Sequence, residues 1–135
     1  MPIEDDTTIR RILQTAKTVA VVGASTKPYR DSNRIADFLI RRGYTVIPVN
    51  PAYAETNGLK CYPDLRSVPV PIDIVDVFRK PDEIDETVDE AIAVKARTLW
   101  LQLGVVNVAA ARRAEAAGIQ VIMDHCIAID SQRLR

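Results

Sequence analysis

From Thr18 onward the chain alternates short apolar runs with amphipathic stretches, and this alternation restricts it to very few folds. The first run, Thr18-Val19-Ala20-Val21-Val22, is rich in β-branched residues and almost unbroken, as a strand covered on both faces must be. Gly23 ends it. After a polar stretch, Ser32 is placed to cap a helix in which Ile35, Ala36, Leu39 and Ile40 recur at helical spacing, and Gly43 stops that helix. The same unit then repeats. Strands are expected over 44–49, 72–78, 98–103 and 119–123. Between them lie an acidic helix that starts at Pro81 and an alanine-rich helix over about Asn107 to Ala117. A lead-in helix over 7–16 and a short one from about Ala128 flank the set. Strands alternating with helices at this pitch make right-handed βαβ units and a parallel sheet. The expected fold is therefore α/β, a doubly wound, Rossmann-like sheet of five parallel strands in the order 3-2-1-4-5, with helices on both faces.

Two segments do not follow the simple pattern. Pro48 lies inside the second strand, where a missing N–H is tolerated only at an edge or a local bend. Residues 52–71 form a long connection containing Asn57-Gly58, with a one-turn helix expected near Asp64-Leu65-Arg66.

The 135 residues fit one domain, 1–135, with a single hydrophobic core. Lys+Arg and Asp+Glu each number 18, so the formal net charge is zero. That balance gives no general attraction for nucleic acid or an anionic membrane, and any bound anion must be held by local groups. The start, Met1-Pro2-Ile3-Glu4-Asp5-Asp6, does not read as a signal peptide, and no apolar run approaches the length of a membrane helix. Cys61 and Cys126 share no metal-type spacing, so no metal is expected, and a cytoplasmic protein with reduced thiols is the expectation. A small domain of this fold can pair with copies of itself. A homo-oligomer is thus allowed, but no patch for it can be named from the sequence.

In a doubly wound sheet, ligands lie beyond the carboxyl ends of the strands, where the strand order reverses. The residues following each strand are the ones to read: Gly23-Ala24-Ser25-Thr26, Asn50-Pro51, Phe78-Arg79-Lys80-Pro81, Gly104-Val105 and Asp124-His125-Cys126. Gly23 permits a sharp turn and close approach to a ligand, the helix start that follows favours phosphate, and Lys27, Arg30 and Arg34 add positive charge. The dinucleotide fingerprint is absent, because Gly23 stands alone through Asn33 and no acid ends the second strand. An oxidoreductase using NADP, held by Arg79 and Lys80, or another nucleotide-binding Rossmann protein, is the rival reading. His125 adjoins Cys126, but neighbours in an extended segment point opposite ways, so no catalytic dyad is expected. Trp100, among apolar neighbours, reads as core.

Taken in order and spacing, V-V-G-A-S at 21–25, V-N-P at 49–51, V-F-R at 77–79, L-W-L-Q-L-G at 99–104, A-G-I-Q-V-I-M-D at 117–124 and C-I at 126–127 closely resemble the stand-alone bacterial CoA-binding protein family. That family is similar to the N-terminal CoA-binding domain of the succinyl-CoA synthetase α subunit. The resemblance implies a Rossmann domain that binds coenzyme A or an acyl-CoA and has no catalytic residues of its own. Gly23, Ala24 and Ser25 would contact the pyrophosphate, Asn50 and Pro51 would flank the adenine, and Phe78 and Arg79 would line the path of the nucleotide and pantetheine. With the neighbouring positions, the candidate cofactor contacts are Gly23, Ala24, Ser25, Thr26, Lys27, Arg30, Ser32, Asn33, Arg34, Asn50, Pro51, Phe78, Arg79, Lys80, Gly104, Asp124, His125 and Cys126. The family pattern has an arginine where this chain has His125. The phosphohistidine of the synthetase lies in a second domain, to which His125 does not correspond.

Overall fold

The computed structural model describes residues 1–134. Strands β1 (Thr18–Val22), β2 (Thr45–Val49), β5 (Ile74–Val77), β6 (Thr98–Leu101) and β7 (Gln120–Met123) form one parallel sheet in the order β2-β1-β5-β6-β7. The class of fold is the expected one. Counted over this sheet alone, however, the strands run 2-1-3-4-5 rather than 3-2-1-4-5. The third strand, β5, lies directly against β1 instead of outside β2. Both orders reverse beside β1, so the crevice falls in the same place.

Two local features agree with the observed order. All four residues of β5 are buried, as an interior strand requires. Pro48 is on the edge strand, where a prolyl nitrogen takes no donor from the ladder. Residues 45 and 49 bond to β1 through Thr45 N–H to Lys17 O and Gly23 N–H to Val49 O, so Pro48 presents its backbone outward. Its carbonyl there accepts from Tyr62 N–H at 2.9 Å, and Tyr62 O accepts from Asn50 N–H at 2.9 Å. At the opposite edge, Ile3 N–H donates to Val121 O at 2.7 Å.

Helices cover both faces. On one side Val19, Val21, Ile74, Trp100 and Ile122 pack under α1 (Asp6–Thr15), α2 (Asp31–Arg41) and α5 (Ile127–Arg133). On the other, Val22, Val75, Val77, Leu99 and Val121 meet α3 (Ile84–Ala93) and α4 (Val108–Ala116). The cap of α4 is Asn107, whose side chain accepts from Ala110 N–H, and that of α1 is Asp5, which accepts from Thr8 N–H. The expected cap at Ser32 is displaced by two residues. Arg30 occupies the cap position without a side-chain bond, and Ser32 is buried in the first turn of α2.

The long connection is ordered around a small antiparallel hairpin, β3 (Glu55–Thr56) and β4 (Leu59–Lys60), turning at Asn57-Gly58 with both residues at positive φ. Asn57 Nδ2 donates to Asn33 O and to Asp37 Oδ1, which fastens the hairpin to α2. A single turn of 3-10 helix over Leu65–Ser67 stands where the one-turn helix is expected.

Candidate functional site

A cleft of about 850 Å³ opens at the carboxyl edge of the sheet, between the β1–α2 loop and the segments that leave β2, β5 and β6. Its floor depends on the close approach of β1 to β5. Gly23 has φ 91°, and a Cβ placed on it would meet the carbonyl oxygen of Phe78 at 2.8 Å. Only glycine fits both restrictions. Phe78 N–H in turn donates to Val22 O at 2.9 Å, so the loops after β1 and β5 are held as one unit.

The first turn is pinned from behind. Asn33 Nδ2 donates to Ser25 O at 2.7 Å, and Asn50 Nδ2 donates to Ala24 O at 2.8 Å while its Oδ1 accepts from Ala52 N–H. The N–H groups of Gly23 and Ala24 both donate to Val49 O, so they are committed to the end of β2. Among the described residues, no hydrogen bond within the protein takes the N–H groups of Ser25, Asp31 or Ser32. All three line the cleft, and the last two stand at the positive end of the eleven-residue α2.

Five cations line the same space: Lys27, Arg30, Arg34, Arg79 and Lys80. Asp31 is the only carboxylate among the lining residues. Arg34 is bonded to Asp31 and to Tyr29 O, and Arg30 stacks over the Tyr29 ring at 5.8 Å. Arg79 pairs with Glu83 at 2.7 Å, and that hydrogen bond holds the Glu83 carboxyl below its ordinary range. Lys27 and Lys80 have no ion-pair partner among the described residues. For a chain of zero net charge this is a local concentration of positive potential, suited to an anionic ligand with several phosphates.

The far end, at β6, has a different character. Leu103 and Val105 line it together with Gln102 and Cys126. Gln102 is 5 % exposed, and its Oε1 accepts from Ile127 N–H at 3.0 Å.

The structure thus brings together Gly23, Ala24, Ser25, Lys27, Arg30, Ser32, Arg34, Asn50, Phe78, Arg79, Lys80 and Cys126. It leaves Thr26, Asn33, Pro51, Gly104, Asp124 and His125 out of the lining. Asn33 supports the first turn rather than facing the cleft. Gly104 N–H donates to Asp124 Oδ1 at 2.8 Å, so these two brace the β6 and β7 loops against each other. His125 turns away: its Nδ1 lies 2.7 Å from Asp130 Oδ2, and its carbonyl accepts from Trp100 Nε1–H. Arg133 joins Asp130 to Asp6 and thereby ties α5 to α1. Sequence reasoning singled out Val105 by its place after the fourth strand but missed Tyr29, Asp31, Ile35 and Tyr53, which lie inside the loops or on α2, and Gln102 and Leu103 beside Val105. Among the described residues no group of His, Cys, Asp and Glu could hold a metal ion, and no helix is long and apolar enough to cross a membrane.

Comparison with known proteins gives a consistent pattern. A family model described as a CoA binding domain matches residues 17–132. YneT, an uncharacterized protein of Bacillus subtilis (strain 168), is 39 % identical over 121 residues, covering 90 % of each chain. The solved structure of a hypothetical protein from Pyrococcus horikoshii OT3 superposes with a TM-score of 0.95 at 40 % identity, covering 99 % of this chain and 96 % of that one. An ADP-forming acetate–CoA ligase of Archaeoglobus fulgidus is 34 % identical over 74 residues, which are 55 % of this chain but only 11 % of the ligase.

Proposed function

The chain belongs to the CoA-binding domain family, and on that premise we propose that its cleft holds coenzyme A or an acyl-CoA, as a single stand-alone binding domain without catalytic residues of its own. The observation that carries this reading is the charge pattern of the cleft: five cations and one carboxylate around free N–H groups at the start of α2, in a chain whose overall charge is zero. CoA bears about four negative charges on its pyrophosphate and 3′-phosphate at neutral pH, which matches that excess. Ser25, Asp31 and Ser32 would give N–H groups to the pyrophosphate, with Lys27 and Arg30 above it. Arg79 and Lys80 would meet the nucleotide from the β5 side, and Tyr53, near Asn50, offers a ring for the adenine.

The rival reading, NADP bound for hydride transfer, has less to support it. Gly23 stands alone through Asn33, so the first turn lacks the three-glycine dinucleotide fingerprint, and β2 is followed by Asn50 rather than by the acid that would take the ribose hydroxyl of NAD. Titration calorimetry with CoA, NAD and NADP at low salt tests the two together. Saturable binding of CoA, with at least tenfold weaker binding of both dinucleotides, is the expected outcome. Preference for NADP would replace this reading.

A further inference from the structure

The cleft changes character along its length. Strand order sets the sequence of its wall: Asn50 and Tyr53 beyond β2, Gly23 to Arg34 beyond β1, Phe78 to Lys80 beyond β5, then Gln102, Leu103, Val105 and Cys126 at the β6 end. All five cations belong to the β1 and β5 portions. None belongs to the β6 end.

That end has two features a thiol alone does not need. The first is apolar surface left in water: Leu103 is 58 % exposed and Val106 45 % exposed, in the loop that continues from the cleft wall. The second is Gln102, which is 95 % buried yet lines the cleft. Its orientation is fixed, because an N–H must face an oxygen, and Ile127 N–H faces Oε1. The amide nitrogen is therefore on the other side, and among the described residues it donates to nothing in the protein. An unpaired donor beside an apolar wall matches the carbonyl oxygen of a thioester followed by a hydrocarbon chain.

We infer that the β6 end is an acyl-thioester subsite, in which Gln102 Nε2 donates to the thioester carbonyl and Leu103, Val105 and Val106 cover the acyl chain. The inference rests on the CoA reading, since it orients the ligand by placing the phosphates among the cations and the sulfur at the opposite end. It makes the preferred ligand an acyl-CoA with a short apolar chain rather than free CoA. No bond is made or broken. Gln102 is a binding and specificity residue here.

Three ligands separate the contributions: CoA, hexanoyl-CoA and S-hexyl-CoA, the last having a methylene in place of the carbonyl. Titrated into the full chain, S-hexyl-CoA should bind about tenfold more tightly than CoA, because several methylenes leave water. Hexanoyl-CoA should gain about a further fivefold from the carbonyl hydrogen bond. Gln102→Glu keeps the acceptor for Ile127 N–H and removes the donor, so it should abolish the difference between hexanoyl-CoA and S-hexyl-CoA. Leu103→Ser, at a position already more than half exposed, should narrow the gap between S-hexyl-CoA and CoA. Equal binding of all three ligands would overturn the subsite while leaving the CoA reading in place, and would turn attention to a protein partner for the exposed loop. Binding of none of them would remove both.

Discussion

At Asp76 a carboxyl group lies fully buried in the middle of β5, flanked in register by Val21 and Trp100, and neither of its oxygens has a hydrogen-bond partner in the protein. Burial disfavours the charged form and raises its pKa well above the usual carboxylate range. The sign of the consequence follows from linkage. In the unfolded chain this group loses its proton near pH 4, whereas in the folded protein it keeps it. Above that pH the folded state binds one more proton than the unfolded state, so stability falls as pH rises until the folded carboxyl itself ionises. Asp76→Asn removes this dependence. Urea unfolding of both proteins at several pH values should show the variant gaining on the parent by up to about 1.4 kcal/mol per pH unit above pH 4. A difference that stays constant with pH would mean the carboxyl is ionised in the fold. The sequence marks Asp76 only as an acid within an apolar run, and its burial could not be read until β1 and β6 were known to flank it.

Among the elements, the contact between β1 and β5 is the one on which the site turns. Gly23→Ala would force a side chain into a positive-φ position and drive its Cβ to 2.8 Å from the Phe78 carbonyl, part of a backbone that cannot yield cheaply. A loss of about 1–3 kcal/mol is expected on denaturant unfolding, together with weakened ligand binding as the two loops separate. Full stability in the alanine variant would mean the loops are not held as tightly as described. Strands and helices were legible here because each β-branched run and each 3.6-residue periodicity is a local signal. Strand order is not local. Pro48 carried the one hint, since an order with β2 in the interior would have put its missing donor inside a ladder. For the site, the rule that ligands lie beyond strand ends singled out Gly23, Phe78 and Arg79, which the structure brings to the cleft wall. It could not separate Cys126, which faces the cleft, from His125, which faces Asp130, because the chain leaves its extended path at Asp124 with φ 64°. Tyr29 and Tyr53 are held by loop geometry, for which spacing gives no sign.

On the scale of the whole molecule, neutral overall charge and a cationic cleft make a specific demand on ligand binding. Attraction concentrated in one place should fade with salt, because exposed charges are screened over about 10 Å at 0.1 M ionic strength. CoA affinity should therefore fall severalfold between low and about 0.5 M salt. Arg79→Ala should weaken binding about threefold to tenfold at low salt and flatten the dependence, Arg79 being partly engaged already by Glu83. Calorimetry across a salt series checks both. Unchanged affinity in the alanine variant would remove Arg79 from the site.

Both margins of the sheet are partly covered by the chain itself, Tyr62 lying against Pro48 on one side and Ile3 against Val121 on the other. A parallel sheet with bare margins is a template onto which any extended peptide can be laid, including a second copy of the same molecule. Here a newcomer would find a proline with no donor at one margin and an occupied acceptor at the other. Growth of the sheet from molecule to molecule is thereby hindered at both margins, which turns extended peptides away from the strand edges on either side of the cleft.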